Sequence, residues 1–133
     1  MIVLDTHAAI WFLTDDTALG RQSRSAADAA LMEDRLSVSA ITFWEIAMLI
    51  KKQRLQTRQS PGEQRARALA AGIRELPVSG DVALLAVELE NLHGDPADRF
   101  IAATAIVHEA TLVTADERLL AWRHKLKRQN ATT

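Results

Sequence analysis

The sequence contains no cysteine, which excludes disulfide bonds and thiolate metal sites. It has no run approaching 18 uninterrupted apolar residues, so no membrane-spanning helix is expected. An excess of charge of either sign is missing too: 16 lysines and arginines face 17 acids, for a net charge of −1. A near-neutral chain has no global attraction for a polyanion, so any nucleic-acid binding must come from local clusters or from a metal ion. The opening MIVLDTH has no basic region and meets an aspartate at position 5, unlike a signal peptide. Cytoplasmic residence without membrane association is therefore the expectation. Internal repeats and low-complexity segments are absent as well.

What remains is an ordinary globular composition, 48% hydrophobic and 25% charged over 133 residues. That length suits one domain spanning 1–133, large enough to bury roughly two-thirds of its unfolded surface. Short apolar runs at Met1 to Leu4, Leu36 to Val38 and Leu112 to Thr114 predict buried parallel strands, with a further strand over Ile73 to Val78. Helical spacing predicts helices over His7 to Leu13, Leu19 to Asp34, Thr42 to Gln53, Gln64 to Ala71, Asp81 to Leu92, Pro96 to Ala110 and Asp116 to Arg123. The Thr42 helix is expected to be well buried, and FIAATAIV, apolar all round, to lie in the core. Gly72 suits a helix C-terminus, and Ser60-Pro61-Gly62 marks the clearest break. The basic tail WRHKLKRQNATT fits either an edge strand or a frayed end. Strands alternating with helices predict an α/β fold with a parallel sheet and right-handed crossovers. Such sheets bind ligands beyond the carboxyl ends of their strands, which directs attention to Asp5 and Asp116.

Each acid near those ends has an ordinary explanation. Asp5 could cap the helix that follows it. Glu45 could complete a Thr42-x-x-Glu45 capping box, and Thr114-x-x-Glu117 has the same pattern, making Asp116 a first-turn acid. In Asp95-Pro96-Ala97-Asp98, Asp95 suits the N-cap, Pro96 the first helical position and Asp98 the helix dipole. Capping accounts for about 1 kcal/mol per site. If the acids converge, each like-charge pair about 4 Å apart costs about 4 kcal/mol at an effective dielectric of about 20, and repulsion wins. Such a cluster needs shifted pKa values or a bound divalent cation. Carboxylates without cysteine select a hard ion, Mg²⁺ or Mn²⁺.

The stretches VLDTHAAIWFL, VSAITFWEIAML, LHGDPADRFIAATA and LVTADERL, in this order and at this separation, resemble the motifs of PIN-domain nucleases. Within that family they are most similar to VapC-type toxins of toxin–antitoxin pairs, and the likeness runs from Met1 to about Leu120. The resemblance implies a PIN-like three-layer sandwich with a short central parallel sheet of four or five strands. It also implies a Mg²⁺- or Mn²⁺-dependent endoribonuclease, homodimeric and neutralised by a small antitoxin. The family's acidic quartet carries over onto Asp5, Glu45, Asp98 and Asp116, and Thr114 matches the hydroxyl residue two positions before the last acid. Asp5 and Asp98 would hold the metal, and Asp116 would ligate it or orient its waters. Glu45 would orient or deprotonate the attacking water, or complete a second metal site. Asp95 matches a further aspartate of the subgroup and is assigned to helix capping.

Other residues take plainer roles. His7 and His93 are assigned to the polar surface or to capping, and Trp11, Phe12, Phe43 and Trp44 to core or dimer contacts. Lys51, Lys52, Arg54 and Arg58 form the densest basic run, either a solvated helix end or a phosphate-backbone contact for Lys51, Lys52 and Arg54. Arg123 to Arg128 raises the same alternatives. A phosphatase using Asp5 as nucleophile would need a second acid two residues on, where His7 stands. A receiver domain would need an acidic pair accompanying Asp5 and a lysine following a late strand, and neither is found. The remaining alternatives are a catalytically silent PIN-like binding module and a housekeeping RNA-processing nuclease.

Overall fold

The computed structural model describes residues 1–133. The chain runs β1 (Ile2–Leu4), α1 (Thr6–Leu13), α2 (Arg21–Met32), β2 (Leu36–Ser39), α3 (Ile41–Lys51) and α4 (Pro61–Ala70). It continues through β3 (Arg74–Leu76), α5 (Gly80–Glu88), α6 (Pro96–Val107), β4 (Thr111–Thr114), α7 (Glu117–Ala121) and β5 (Arg128–Asn130). The strands form one sheet in the order β3-β2-β1-β4-β5, and every neighbouring pair is parallel. The expected α/β sandwich is present.

The sheet is apolar on both faces because strand side chains alternate in direction. Val3 and Leu112 enter one core with Val82, Ile101 and Leu119, beneath α5, α6 and α7. Their chain neighbours Leu4 and Val113 enter the other, with Phe12, Ala27 and Ala68 from α1, α2 and α4. On β2 only Leu36 and Val38 point into an apolar core. The intervening Ser37 satisfies its hydroxyl on the Ile2 carbonyl at 2.7 Å. Burial on both faces explains why these strands read as short continuous apolar runs.

From β1 the chain crosses to β2 on one side, and from β4 to β5 on the other, so the order reverses between β1 and β4. This switch point is where an open parallel sheet leaves a crevice. Asp5 directly follows β1, and Asp116 lies just past β4.

Several local expectations change. The helix assigned to Asp81 to Leu92 ends at Glu88, and a loop leads from it to Asp95. The helix α4 begins at Pro61, three residues early, because Ser60 and Glu63 form a capping box there. Gly72 follows α4 with φ of 101°, the left-handed conformation that glycine tolerates at a helix end. The helix α3 is far less buried than its apolar sequence suggested: only Thr42 and Ile46 are buried, and Trp44 is 52% exposed.

The C-terminal tail is ordered, not frayed. β5 pairs with β4, and Arg128 donates to the carbonyls of Leu119, Trp122 and His124. Arg128 is thus tied to the backbone and is removed from the candidate phosphate contacts. Beyond β5 the chain packs against the start of α2, where Gly20 N–H donates to Ala131 O and Gln22 N–H to Thr133 O. A Cβ on Gly20 would stand 2.2 Å from the backbone of Thr133, so the close approach requires glycine.

Candidate active site

The acids converge. Asp5, Glu45, Asp95, Asp98 and Asp116 line one open cleft of about 310 Å³ at the switch point, together with His7, Trp11 and Arg118. They come from four separate stretches, Asp95 and Asp98 sharing one, so only the tertiary fold brings them together.

Asp5 is the N-cap of α1, as capping alone would have it. One carboxylate oxygen accepts from Thr6 N–H at 2.8 Å, and the other accepts from the Thr114 hydroxyl at 2.6 Å. Thr114 Oγ1 in turn accepts from Asp116 N–H at 3.0 Å. The single hydroxyl therefore locks the end of β4 to the end of β1. Thr114 is not the cap of a box with Glu117; Asp116 caps α7 itself, accepting from the N–H groups of Arg118 and Leu119. The Thr42–Glu45 box fails also, because α3 starts at Ile41 and places Thr42 inside the helix. Thr42 instead accepts a 3.3 Å hydrogen bond from the Thr6 hydroxyl, in the interior. Glu45 is free of the helix start and extends toward Asp95 and Asp98.

Asp98 opens α6 and is buried. Its backbone N–H donates to Asp95, the N-cap, so the capping role assigned to Asp95 holds. Asp95 nevertheless faces the cleft as well. Opposite, the Arg118 guanidinium lies 3.7 Å from Asp98 Oδ2 and 3.3 Å from Asp116 Oδ2.

Two contributions escaped the sequence reading. His93 is not a surface or capping residue: its Nε2 lies 2.6 Å from Asp98 Oδ2, and its side chain is mostly buried. Arg99, next to Asp98, spreads its guanidinium over five backbone carbonyls between Ala86 and His93. The DPADRF stretch signalled helix capping but nothing of these distant partners. By contrast Lys51, Lys52 and Arg54 lie outside the cleft, exposed at the end of α3 and without an ion pair.

The electrostatics follow from burial and crowding. Burial pushes the Asp5 carboxyl up, against the lowering effect of its bonds from Thr114 and Thr6. Burial raises Glu45 too, with the charges of Asp5 and Asp95 adding to it. Asp98 is pushed up to about 7, first by burial and then by the charges of Asp5, Asp95 and Asp116, with His93 opposing. At Asp116 burial acts in the same direction, but the backbone N–H of Leu119 and the Arg118 guanidinium outweigh it and hold the carboxyl below its usual range.

A raised acid keeps its proton in the folded protein after the unfolded chain has released it, so folding stability falls as pH rises through that interval. Metal-free protein should melt at progressively lower temperature between the ordinary Asp value of 3.8 and about 7. Asp98→Asn should reduce that slope, which a melting series at several pH values would read. A slope untouched by the substitution would assign it to groups other than Asp98.

The donor set fits a hard divalent cation. Ligating atoms of Glu45, Asp95 and Asp98 lie within 4.8 Å of one another, and so do those of His93, Asp98 and Asp116. Two oxygens sharing one ion at about 2.1 Å stand at most about 4.2 Å apart, so small side-chain rotations suffice. Nearly all the donors are carboxylates, the oxygen ligands that Mg²⁺ and Mn²⁺ prefer.

Comparison with known proteins bears on the family and the fold. The chain is 39% identical over 124 residues to ribonuclease VapC22 of Mycobacterium tuberculosis, covering 92% of each chain. Its fold is similar to a chain of the VapBC2 structure from Rickettsia felis, bound to a promoter DNA fragment, with TM-score 0.70 and 17% identity over 98% of both chains. It is similar also to a chain of DNA-bound VapBC from Salmonella typhimurium, with TM-score 0.68 and 18% identity over 96% of both. The sequence profile of the PIN domain matches residues 2–124, and the chain belongs to the PIN domain family.

Proposed function

We propose that this protein is a Mg²⁺- or Mn²⁺-dependent endoribonuclease and the toxin of a toxin–antitoxin pair. The observation that carries the reading is the gathering of Asp5, Glu45, Asp98 and Asp116 from four separate elements into one cleft. Surface capping does not require them to meet, and their mutual repulsion opposes it. The 39% identity to a ribonuclease over nearly the whole chain supports RNA as the substrate.

Asp5, Asp98 and Asp116 would hold the cation. When bound there, it supplies Lewis-acid polarisation of the scissile phosphate and an acidified water. The protein's own groups do the rest. Thr114 and the Thr6 N–H fix both oxygens of Asp5, so its orientation is set before substrate arrives. Glu45, with its carboxyl pushed upward, is suited to orient the attacking water and accept its proton. Arg118 lies at the mouth of the cleft, where a phosphate approaching the acids needs a counter-charge.

An antitoxin partner is supported by solved structures of similar fold, two of which are described as a toxin–antitoxin complex or a member of a toxin–antitoxin family. A homodimer is supported by the exposed apolar residues Leu84 and Val87 on α5, which nothing in one chain covers. No helix is long and apolar enough to cross a membrane, and cytoplasmic residence goes with the toxin reading.

Purified protein should cut RNA with Mn²⁺ or Mg²⁺ and stop when the metal is chelated. RNA binding without cleavage under any divalent ion would instead favour a silent binding module. The exposed basic run gives a second test. Lys52, which caps the C-terminus of α3, follows Glu45 by seven residues, about 10 Å along the axis. A strand entering the cleft along α3 would meet it. Replacing Lys51, Lys52 and Arg54 with alanine should therefore flatten the salt dependence of RNA binding, by about 0.7 in log–log slope per lost phosphate contact. Cleavage-site preference should survive, since backbone contacts position a strand without reading bases. An unchanged slope would assign the run to a protein partner.

A further inference from the structure

The loop between α5 and α6 has no regular structure, yet it is firmly held. Arg99 donates to the carbonyls of Ala86, Val87, Leu89, Leu92 and His93, at 2.6 to 3.3 Å. From the other side Trp122 Nε1 donates to Glu90 O at 2.9 Å. A planar guanidinium serves several acceptors at fixed angles, so Arg99 sets the path of this loop as a lysine could not. At the end of that path stands His93.

The His93 ring makes one polar contact, from Nε2 to Asp98 Oδ2 at 2.6 Å. Its Nδ1 is buried and meets no donor or acceptor. Burying an unpaired ring nitrogen costs stability, and a ring kept at that cost serves something other than its own hydrogen bonding. We propose that His93 is a positioning residue for Asp98, locked in place by Arg99. Its Nε2–H donates to one oxygen of the carboxylate and leaves the other turned to the cation. The inference rests on the proposed metal-dependent reading of the cleft. The rival role, direct ligation by the imidazole, needs Nε2 to give up the short contact it already makes, while Nδ1 is buried elsewhere.

Because only Nε2 is engaged, a side chain offering an N–H at similar reach should replace the ring, and glutamine does so. The experiment is calorimetric titration of Mn²⁺ into the full chain, comparing wild type, His93→Ala, His93→Gln and Asp98→Asn. His93→Ala should bind about 10–100-fold more weakly, the usual cost of losing a group that orients a ligand. His93→Gln should bind as wild type does. In RNA cleavage His93→Ala should lower kcat with KM little changed, since the residue does not touch RNA. Wild-type Mn²⁺ affinity in His93→Ala overturns the inference. So does equal weakening in His93→Gln and His93→Ala, which points to the imidazole itself as a ligand. Should wild type fail to bind Mn²⁺, or Asp98→Asn bind equally well, the metal reading falls and this inference with it.

Discussion

Asp5→Asn and Asp98→Asn should each abolish RNA cleavage, a loss of at least about a hundredfold, while the protein stays folded. The size follows from the chemistry: a metal ion contributes several kcal/mol of transition-state stabilisation, and each 1.36 kcal/mol is about tenfold in rate. An amide has the carboxylate's shape without its charge, so it holds a hard cation poorly. The fold should tolerate the exchange. The remaining oxygen of an asparagine at position 5 can still accept from Thr6 N–H, and at position 98 the exchange removes a carboxyl that burial and its acidic neighbours push up to about 7. Cleavage assays with circular dichroism on the same preparations separate lost chemistry from lost structure. Near-wild-type activity in either variant with Mg²⁺ would show that the site lies elsewhere.

The second large effect is thermodynamic. A ligand that binds only the folded state stabilises it by RT ln(1 + [L]/Kd), about 2.7 kcal/mol at a hundred times Kd. Adding Mn²⁺ should therefore raise the melting temperature of the wild type. The variant with amides at positions 5, 45, 98 and 116 should gain nothing from it. Equal shifts in the two proteins would place the cation outside the cleft.

How much of this was legible in the sequence depends on what kind of interaction does the work. Asp5 and Asp116 could be placed because a short apolar run announces a buried strand, and the residues after it stand at the ligand-binding edge. The burial of α6 was visible in FIAATAIV, since a helix apolar all round has nowhere else to go. The exposure of α3 was not visible: an apolar face looks the same whether its own chain or another covers it. β5 escaped firm assignment because its Arg-Gln-Asn segment has no apolar alternation; backbone pairing and Arg128 hold it. Thr114 and Thr42 fitted capping-box patterns, but long-range partners decided both. His93 and Arg99 carried no local signal at all, because their function lies in contacts that only the folded loop creates.

The central claim is that the carboxylates at the switch point form a cation site. Anomalous scattering from a crystal grown or soaked with Mn²⁺ tests it most directly, since the signal locates the ion without assumption about activity. A peak is expected in the cleft, at about 2.1 Å from oxygens of Asp5 and Asp98, and it should be lost in Asp98→Asn. A peak away from these residues, or one that persists unchanged in Asp98→Asn, would contradict it.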